Sequence, residues 1–268
     1  MEVITSGEYK KLLKEVGISY LGATKQSAKM MASFRHNVNT YCVYLAPYNL
    51  SGRNVCPMGE HCAPHCLNES GHNKIEKFIN KNTIEKSRIK KTNLFYEDRE
   101  TFMKLLIYEI AKEQRYATSH GMDFAVRLNG TSDLSPLAFK YNGMNILEIF
   151  PTIQFYDYTK VPNRFNLLSI YQNYDITFSF DGYNWDDCET YLKRGGKVAV
   201  VFESKVFPTS FKGFPLTDAH DYDMRYLDPK GHLCWLPYHP TTKDYINGKY
   251  VAPDTPFVIK ADDPNIIY

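Results

Sequence analysis

The chain has 268 residues, 43% hydrophobic and 23% charged, with a formal charge of +2. That composition suits a globular chain with a large core, and a charge so near balance selects no polyanionic or polycationic partner. No apolar run reaches the roughly 18 residues of a membrane-spanning helix, and the polar start MEVITSGEYKKLL lacks the apolar run of a signal peptide. The expected setting is therefore a reducing compartment, where the six cysteines read as thiols or metal ligands before they read as disulphides.

In chain order, a first helix is expected over Ser6–Val16, capped by Ser6, with Tyr9, Leu12 and Leu13 on one face. The run Thr40–Pro47 (TYCVYLAP) has the β-branched and aromatic make-up of a buried strand. A long loop rich in Pro and Gly follows, and long loops in compact domains tend to carry function. Residues 74–91 hold seven Lys/Arg against two Glu. They read either as a solvated helix face or as a seat for phosphate or nucleic acid, with Lys86, Arg88, Lys90 and Lys91 as the contact residues.

A helix is expected over Glu97–Arg115, with Phe102, Leu105, Leu106 and Ile110 at helical spacing. Strands and helices then alternate. Strands are expected at Phe124–Leu128, Ile153–Asp157, Asp175–Phe180, Val198–Phe202 and Phe214–Thr217, with a strand or hairpin at His232–Leu236. Helices are expected at Leu137–Phe150, near Arg164–Tyr171, and at Trp185–Arg194. Such alternation implies parallel pairing with right-handed crossovers. The fold class is thus α/β: one domain over residues 1–268, a partial (β/α)6-type barrel with a long cysteine-bearing loop after its first strand. An N-terminal helix precedes it, and the tail (VAPDTPFVIKADDPNIIY) is expected to wrap the surface.

The loop reads Cys56-Pro-Met-Gly-Glu-His-Cys62-Ala-Pro-His-Cys66, so three of the six cysteines fall within 11 residues. Thiolates at this spacing chelate a soft metal from one flexible loop. Three cysteines on a [4Fe–4S] cube leave one iron open, which a substrate-binding cluster requires. Zinc is the competing occupant, with His61, His65 or His72 as a fourth ligand. Cys42, Cys188 and Cys234 fall in expected strands or helices and read as core thiols.

Polar residues recur just past the expected strand ends, the edge where parallel barrels bind ligands. They are Arg127, Asn129, Gly130, Thr131, Ser132 and Asp133, then Tyr158, Thr159 and Lys160, then Asp181 and Gly182, then Glu203, Ser204 and Lys205. A further cluster, Asp218, His220, Asp221, Asp223 and Arg225, suits a hard metal or a turn held by carboxylate–arginine pairs, and the structural reading is favoured.

Five segments together resemble a family encoded by bacteriophages and labelled after phage gene product eighty-eight: CPMGEHCAPHCL, RLNGTSD, FYDYTKVPNR, ITFSFDGYN and DAHDYDMRYLDPKG. The resemblance spans Cys56 to Gly231. It implies a phage or prophage origin, hence the cytoplasm of an infected bacterial host, and brings no established activity. More distantly the chain resembles radical S-adenosylmethionine enzymes, which hold a [4Fe–4S] cluster on three cysteines after the first strand of a partial barrel. That likeness implies Cys56, Cys62 and Cys66 as cluster ligands and S-adenosylmethionine as cofactor, with Arg127, Asn129, Ser132, Asp133 and Lys160 in its seat. The C-x5-C-x3-C spacing differs from the usual C-x3-C-x-x-C, and no GGE-like segment follows the second strand. Two functions are therefore expected. One is a cluster-binding, radical-type enzyme acting on a small molecule or nucleic acid. The other is a metal-stabilised (Fe–S or Zn) nucleic-acid-binding or regulatory protein. Nothing in the sequence signals an oligomer.

Overall fold

The computed structural model describes residues 3–66, 68, 75–76, 79, 81–247 and 249–268. His72, Lys74 and Lys77 lie outside them. Helix α1 (Ser6–Val16) begins at a capping box in which Thr5 and Glu8 satisfy each other's backbone N–H, and it ends on Gly17 at φ 66°. The cap is thus Thr5 rather than Ser6. An edge strand β1 (Gly22–Thr24), helix α2 (Ala28–Arg35) and strand β2 (Val38–Val43) follow.

A helix α3 (Thr83–Glu97) runs through the basic segment, and the helix expected over Glu97–Arg115 follows it as α4 (Arg99–Ser119). Asp98 separates them and caps the second by accepting from the Thr101 N–H at 3.0 Å. Strand β3 (Asp123–Arg127) follows. The helix expected over Leu137–Phe150 is not formed. A 3-10 turn (Pro136–Ala138) leads into a hairpin of β4 (Lys140–Tyr141) and β5 (Met144–Asn145), then the single helical turn α5 (Ile146–Ile149). The reason is Asn142-Gly143. Both residues take positive φ (49° and 83°), as a two-residue hairpin loop demands and a helix forbids.

The remainder follows the expected alternation. It comprises β6 (Gln154–Thr159), a 3-10 stretch (Pro162–Ser169), β7 (Tyr174–Ser179), α6 (Trp185–Lys193), β8 (Lys197–Phe202), β9 (Ser210–Phe211), β10 (Phe214–Asp218) and β11 (Leu233–Pro237). A hairpin of β12 (Tyr245–Ile246) and β13 (Lys249–Tyr250) precedes β14 (Val258–Ile259) and β15 (Ile266–Ile267). The tail therefore does more than wrap the surface. β14 pairs with β8 and β15 with β9.

Among the described residues these strands build an 11-stranded sheet in the order β1-β2-β3-β6-β7-β8-β11-β10-β9-β15, with β14 beside β8. The seven from β2 to β10 run parallel, while β1, β9 and β15 are antiparallel at the edges. Nothing pairs β1 with β15, so this α/β sheet is open and no closed barrel forms. One face carries Tyr41, Val43, Val126, Leu128, Phe155 and Ile176. It packs against Phe102, Leu105, Leu106 and Ile110 of α4. The core continues under α6 with Phe178, Val198, Val200 and Leu233.

Strand register puts Cys42, Arg127, Tyr156, Thr177, Lys197 and Cys234 on the other face. Helix α2 and residues 219–228 cover it: Lys29 Nζ donates to the Ala219 carbonyl at 2.7 Å, and Asp223 accepts from Tyr156 Oη at 3.1 Å. No described helix is long and apolar enough to cross a membrane.

Candidate functional site

Strand β2 delivers the chain at its C-terminal end into the loop 44–66, which crosses the C-terminal edge of the sheet. The loop is seated on α3 by the Ala46 N–H bonded to Thr92 Oγ1 at 2.8 Å. It is seated on the loop after β3 by Gly130 N–H to Val43 O at 2.9 Å and Asp133 N–H to Val55 O at 2.7 Å. Two glycines make the approach possible. A Cβ on Gly130 would stand 2.6 Å from the Tyr44 ring and 2.8 Å from Cys42 Sγ, and one on Gly59 would stand 2.9 Å from Cys56 Cβ.

Two sulphurs of the cysteine triplet accept a backbone N–H: Cys56 Sγ takes the Tyr48 N–H at 3.4 Å and Cys66 Sγ takes the Asn68 N–H at 3.5 Å, while the Cys62 thiol donates to the Gly59 carbonyl at 3.6 Å. Burial pushes the Cys56 thiol up to about 12, against the pull of the Tyr48 N–H, with Asp133, Cys66 and Cys62 adding to the rise. Burial likewise raises Cys66, opposed by the Asn68 N–H, Lys160 and Arg88. The three thiols are thus electrostatic neighbours, and burial favours the neutral thiol at Cys56 and Cys66. They are not drawn to coordination distance: among the described residues, no group of three or more His, Cys, Asp or Glu side chains is arranged to hold a metal ion.

By chemistry alone three thiols are soft-metal ligands, and here they would have to move together to hold one. His61 lies against Tyr183, ring centroids 4.3 Å apart. His65 Nδ1 is 3.3 Å from Tyr238 Oη, and burial lowers its pKa.

The polar residues beyond the strand ends do gather on this edge, but largely to bind one another. Asn129 donates its N–H and its amide to the two oxygens of Asp157 (2.8 and 3.0 Å), and its Oδ1 accepts from Ser132 Oγ and the Leu134 N–H. Asp133 accepts from the Lys160 N–H at 2.9 Å and forms a buried ion pair with Arg164. Arg127 contacts both oxygens of Asp223 at 3.1 Å and lies over the Tyr158 ring at 4.6 Å. Beyond β8, Glu203 takes the Ala261 N–H at 3.3 Å and Lys205 is exposed. Burial pushes the Asp157 carboxyl up to about 7, Arg127 and the Asn129 donors opposing. Sequence reasoning missed Asp157 and Arg164: Arg164 stands 31 positions from its partner Asp133, and only the fold brings them together.

The basic segment divides in two. Lys86 and Lys90 are exposed, Lys90 Nζ donating to the Gly17 carbonyl at 3.1 Å. Arg88 turns inward to Asn68 and the Tyr44 ring, and Lys91 is buried over the Tyr20 ring at 4.4 Å. In the cluster after β10, Asp223 and Arg225 are buried while Asp218, His220 and Asp221 are exposed, and Arg225 Nη1 lies 2.9 Å from Asp228 Oδ2. The described surface grooves of about 360 and 270 Å³ open at the opposite, N-terminal edge of the sheet, around Asp123 and Asp175. They have no part in the thiol chemistry.

Fold and site together define an α/β protein with a large, mostly parallel sheet and a thiol-bearing loop across its C-terminal edge. Compared with known families, the chain belongs to that described as gene product 88, whose model matches residues 8–239. No curated protein and no solved structure matches it.

Proposed function

We propose that Cys56, Cys62 and Cys66 carry a [4Fe–4S] cluster on the rim of an open (β/α) sheet, and that the protein acts through it, as an enzyme of a class still to be assigned. The observation that supports this most is that two sulphurs of the triplet, those of Cys56 and Cys66, already accept a backbone N–H, from Tyr48 and Asn68. Such donors stabilise thiolate and cluster sulphur and tune the metal. The sequential order of β2, β3, β6, β7 and β8 supports the partial-barrel reading. When bound, the cluster supplies electron transfer and one iron without a protein thiolate. The chain's own part is to hold three sulphurs on one edge and to shield them with Tyr48, Thr131 and the aromatic neighbours of His61 and His65.

S-adenosylmethionine fits less well. Arg127, Asn129, Ser132 and Asp133 are committed to partners within the chain and offer it no open seat, so no step is derived through it. A metal-stabilised nucleic-acid-binding or regulatory protein is the second reading, which the exposed Lys86 and Lys90 favour and the inward Arg88 and Lys91 do not.

Anaerobic purification tests the first. The protein is expected to be brown with about four irons per chain, to lose iron in Cys56→Ala, Cys62→Ala or Cys66→Ala, and to keep it in Cys188→Ala. A colourless protein with stoichiometric zinc refutes the cluster.

A further inference from the structure

We propose that the β12–β13 hairpin is a platform for single-stranded nucleic acid, with Tyr245 and Tyr250 stacking on bases and Lys243 and Lys249 meeting phosphates. The proposal rests on the second reading above and moves its contact surface from the basic segment to the C-terminal rim. It needs no metal on the thiols.

Tyr245, Ile246, Tyr250 and Val251 are between 44 and 59% exposed. A two-stranded hairpin gains little stability alone in water, and an exposed apolar patch marks a contact surface. Register sets Tyr245 directly opposite Tyr250, so both rings leave the same face, 6.0 Å apart and inclined by 60°. At that inclination neither ring covers the other, and each keeps a π-face for a base.

Hydrogen bonds fix the foot of the hairpin. Asp244 accepts from Tyr238 Oη at 2.7 Å and from the Thr241 N–H and hydroxyl at 2.5 and 2.9 Å. Its carbonyl accepts the Val251 N–H at 2.8 Å. Tyr238 Oη in turn lies 3.3 Å from Nδ1 of His65, which stands between Cys62 and Cys66. The platform is thus anchored beside the cysteine loop.

The same bonds decide the charge. Asp244 is the one carboxylate in residues 241–251, and it is buried with three donors on it, whereas Lys243 and Lys249 are exposed. The exposed charge of the segment is therefore positive. An apolar partner would use the hydrophobic side chains and leave both lysines without a counter-charge. Aromatic faces flanked by cations instead suit a run of bases and phosphates. A duplex offers no free base face, so the strand is single.

The test is fluorescence anisotropy of a labelled oligothymidylate of about 20 nucleotides with the full chain. The wild type is expected to bind, and more weakly as salt rises. Tyr245→Leu and Tyr250→Leu keep apolar area but lose the ring, and each is expected to weaken binding roughly tenfold. Tyr245→Phe and Tyr250→Phe are expected to bind as the wild type does, as is Tyr116→Leu on α4. Lys243→Gln and Lys249→Gln are each expected to lower the slope of log affinity against log salt by about 0.7.

Unchanged affinity and slope in the hairpin variants overturn the proposal. If Lys86→Gln and Lys90→Gln then weaken binding, the nucleic-acid reading stands at the basic segment. A folded wild type that binds no oligonucleotide overturns both, and binding to anionic phospholipid vesicles alone assigns the patch to a membrane surface. Should a ring variant lose the far-ultraviolet dichroism of the wild type, the two lysine variants, at exposed positions, decide the outcome.

Discussion

Glu109 offers the sharpest test of how the frame beneath the cysteine loop is held. It lies on α4, nearly fully buried, and its two oxygens accept four donors: Tyr9 Oη at 2.7 Å and Leu21 N–H at 2.9 Å on one, Tyr41 Oη at 2.5 Å and Gly22 N–H at 2.9 Å on the other. One carboxylate thereby joins α1, β1, β2 and α4, and β2 is the strand that launches the cysteine-bearing loop. Replacing Glu109 with Ala leaves three buried donors without acceptors, while Tyr9, half-buried, finds water. At about 1–3 kcal/mol for each orphaned group, partly offset by relief of the buried carboxyl, the loss is about 3–5 kcal/mol. In a chain of this size that lowers Tm by about 10 °C. Glu109→Gln keeps one oxygen but turns an NH2 toward a backbone N–H, and costs about 2 kcal/mol. Tyr41→Phe combined with Glu109→Ala is expected to cost less than the sum, since the hydroxyl is already orphaned. Urea titration of the wild type, these three variants and Tyr41→Phe alone measures every cost. A Glu109→Ala variant within about 1 kcal/mol of wild type would falsify the claim that this carboxylate ties the frame together.

Two further outcomes are expected. The Asp157 carboxyl is raised to about 7 in the folded chain by burial, against an unfolded value of about 3.9. Its contribution is therefore fully present below about pH 4 and is lost as pH rises through about 7, at up to about 1.4 kcal/mol per pH unit. Asp157→Asn removes that slope and so gains on the wild type as pH rises from about 4 to 7, and parallel urea-midpoint curves would contradict the assignment. Gly130→Ala forces a Cβ into the Tyr44 ring and Cys42 sulphur, at a cost of about 1–3 kcal/mol. It is expected to expose the triplet to a thiol reagent faster than wild type, and unchanged thiol kinetics would show that the loop is seated elsewhere.

Local rules were legible wherever one segment decides its own structure. The α1 bounds, Ser6–Val16, follow from apolar spacing and a Gly stop, and the apolar run behind β8 differs from the observed strand by one residue. The Asn142-Gly143 turn was equally local, but the apolar spacing of Leu137, Ile146, Leu147 and Phe150 mimics a helix and masks it. Long-range pairing was not legible. Arg127 meets Asp223 across 96 positions and Asn129 meets Asp157 across 28, so polar residues that read as an open binding rim turn out to be bonded to one another. The three cysteines were legible as a group because they are neighbours in sequence. Their N–H donors were not, since a backbone amide such as that of Tyr48 or Asn68 carries no signature.

The charged face of the sheet decides where a ligand of the thiols can approach. A central parallel sheet is ordinarily apolar on both faces, yet here Arg127, Tyr158, Thr177 and Lys197 line one of them. The chain covers that face itself. Between β10 and β11 it folds across the strands, placing Asp223 on Arg127 and Tyr156, the Arg225 carbonyl on Lys197 Nζ at 2.7 Å, and Arg225 Nη1 beside Asp228 with no exposed surface left on the arginine. The interior where a barrel enzyme would enclose a small substrate is therefore filled by residues 219–228. The cysteine loop stays at the C-terminal edge, with Met58 at 49% and Tyr183 at 66% exposure flanking it. Whatever meets the three thiols therefore reaches them from solvent across this rim, because the sheet leaves no enclosed interior beside them.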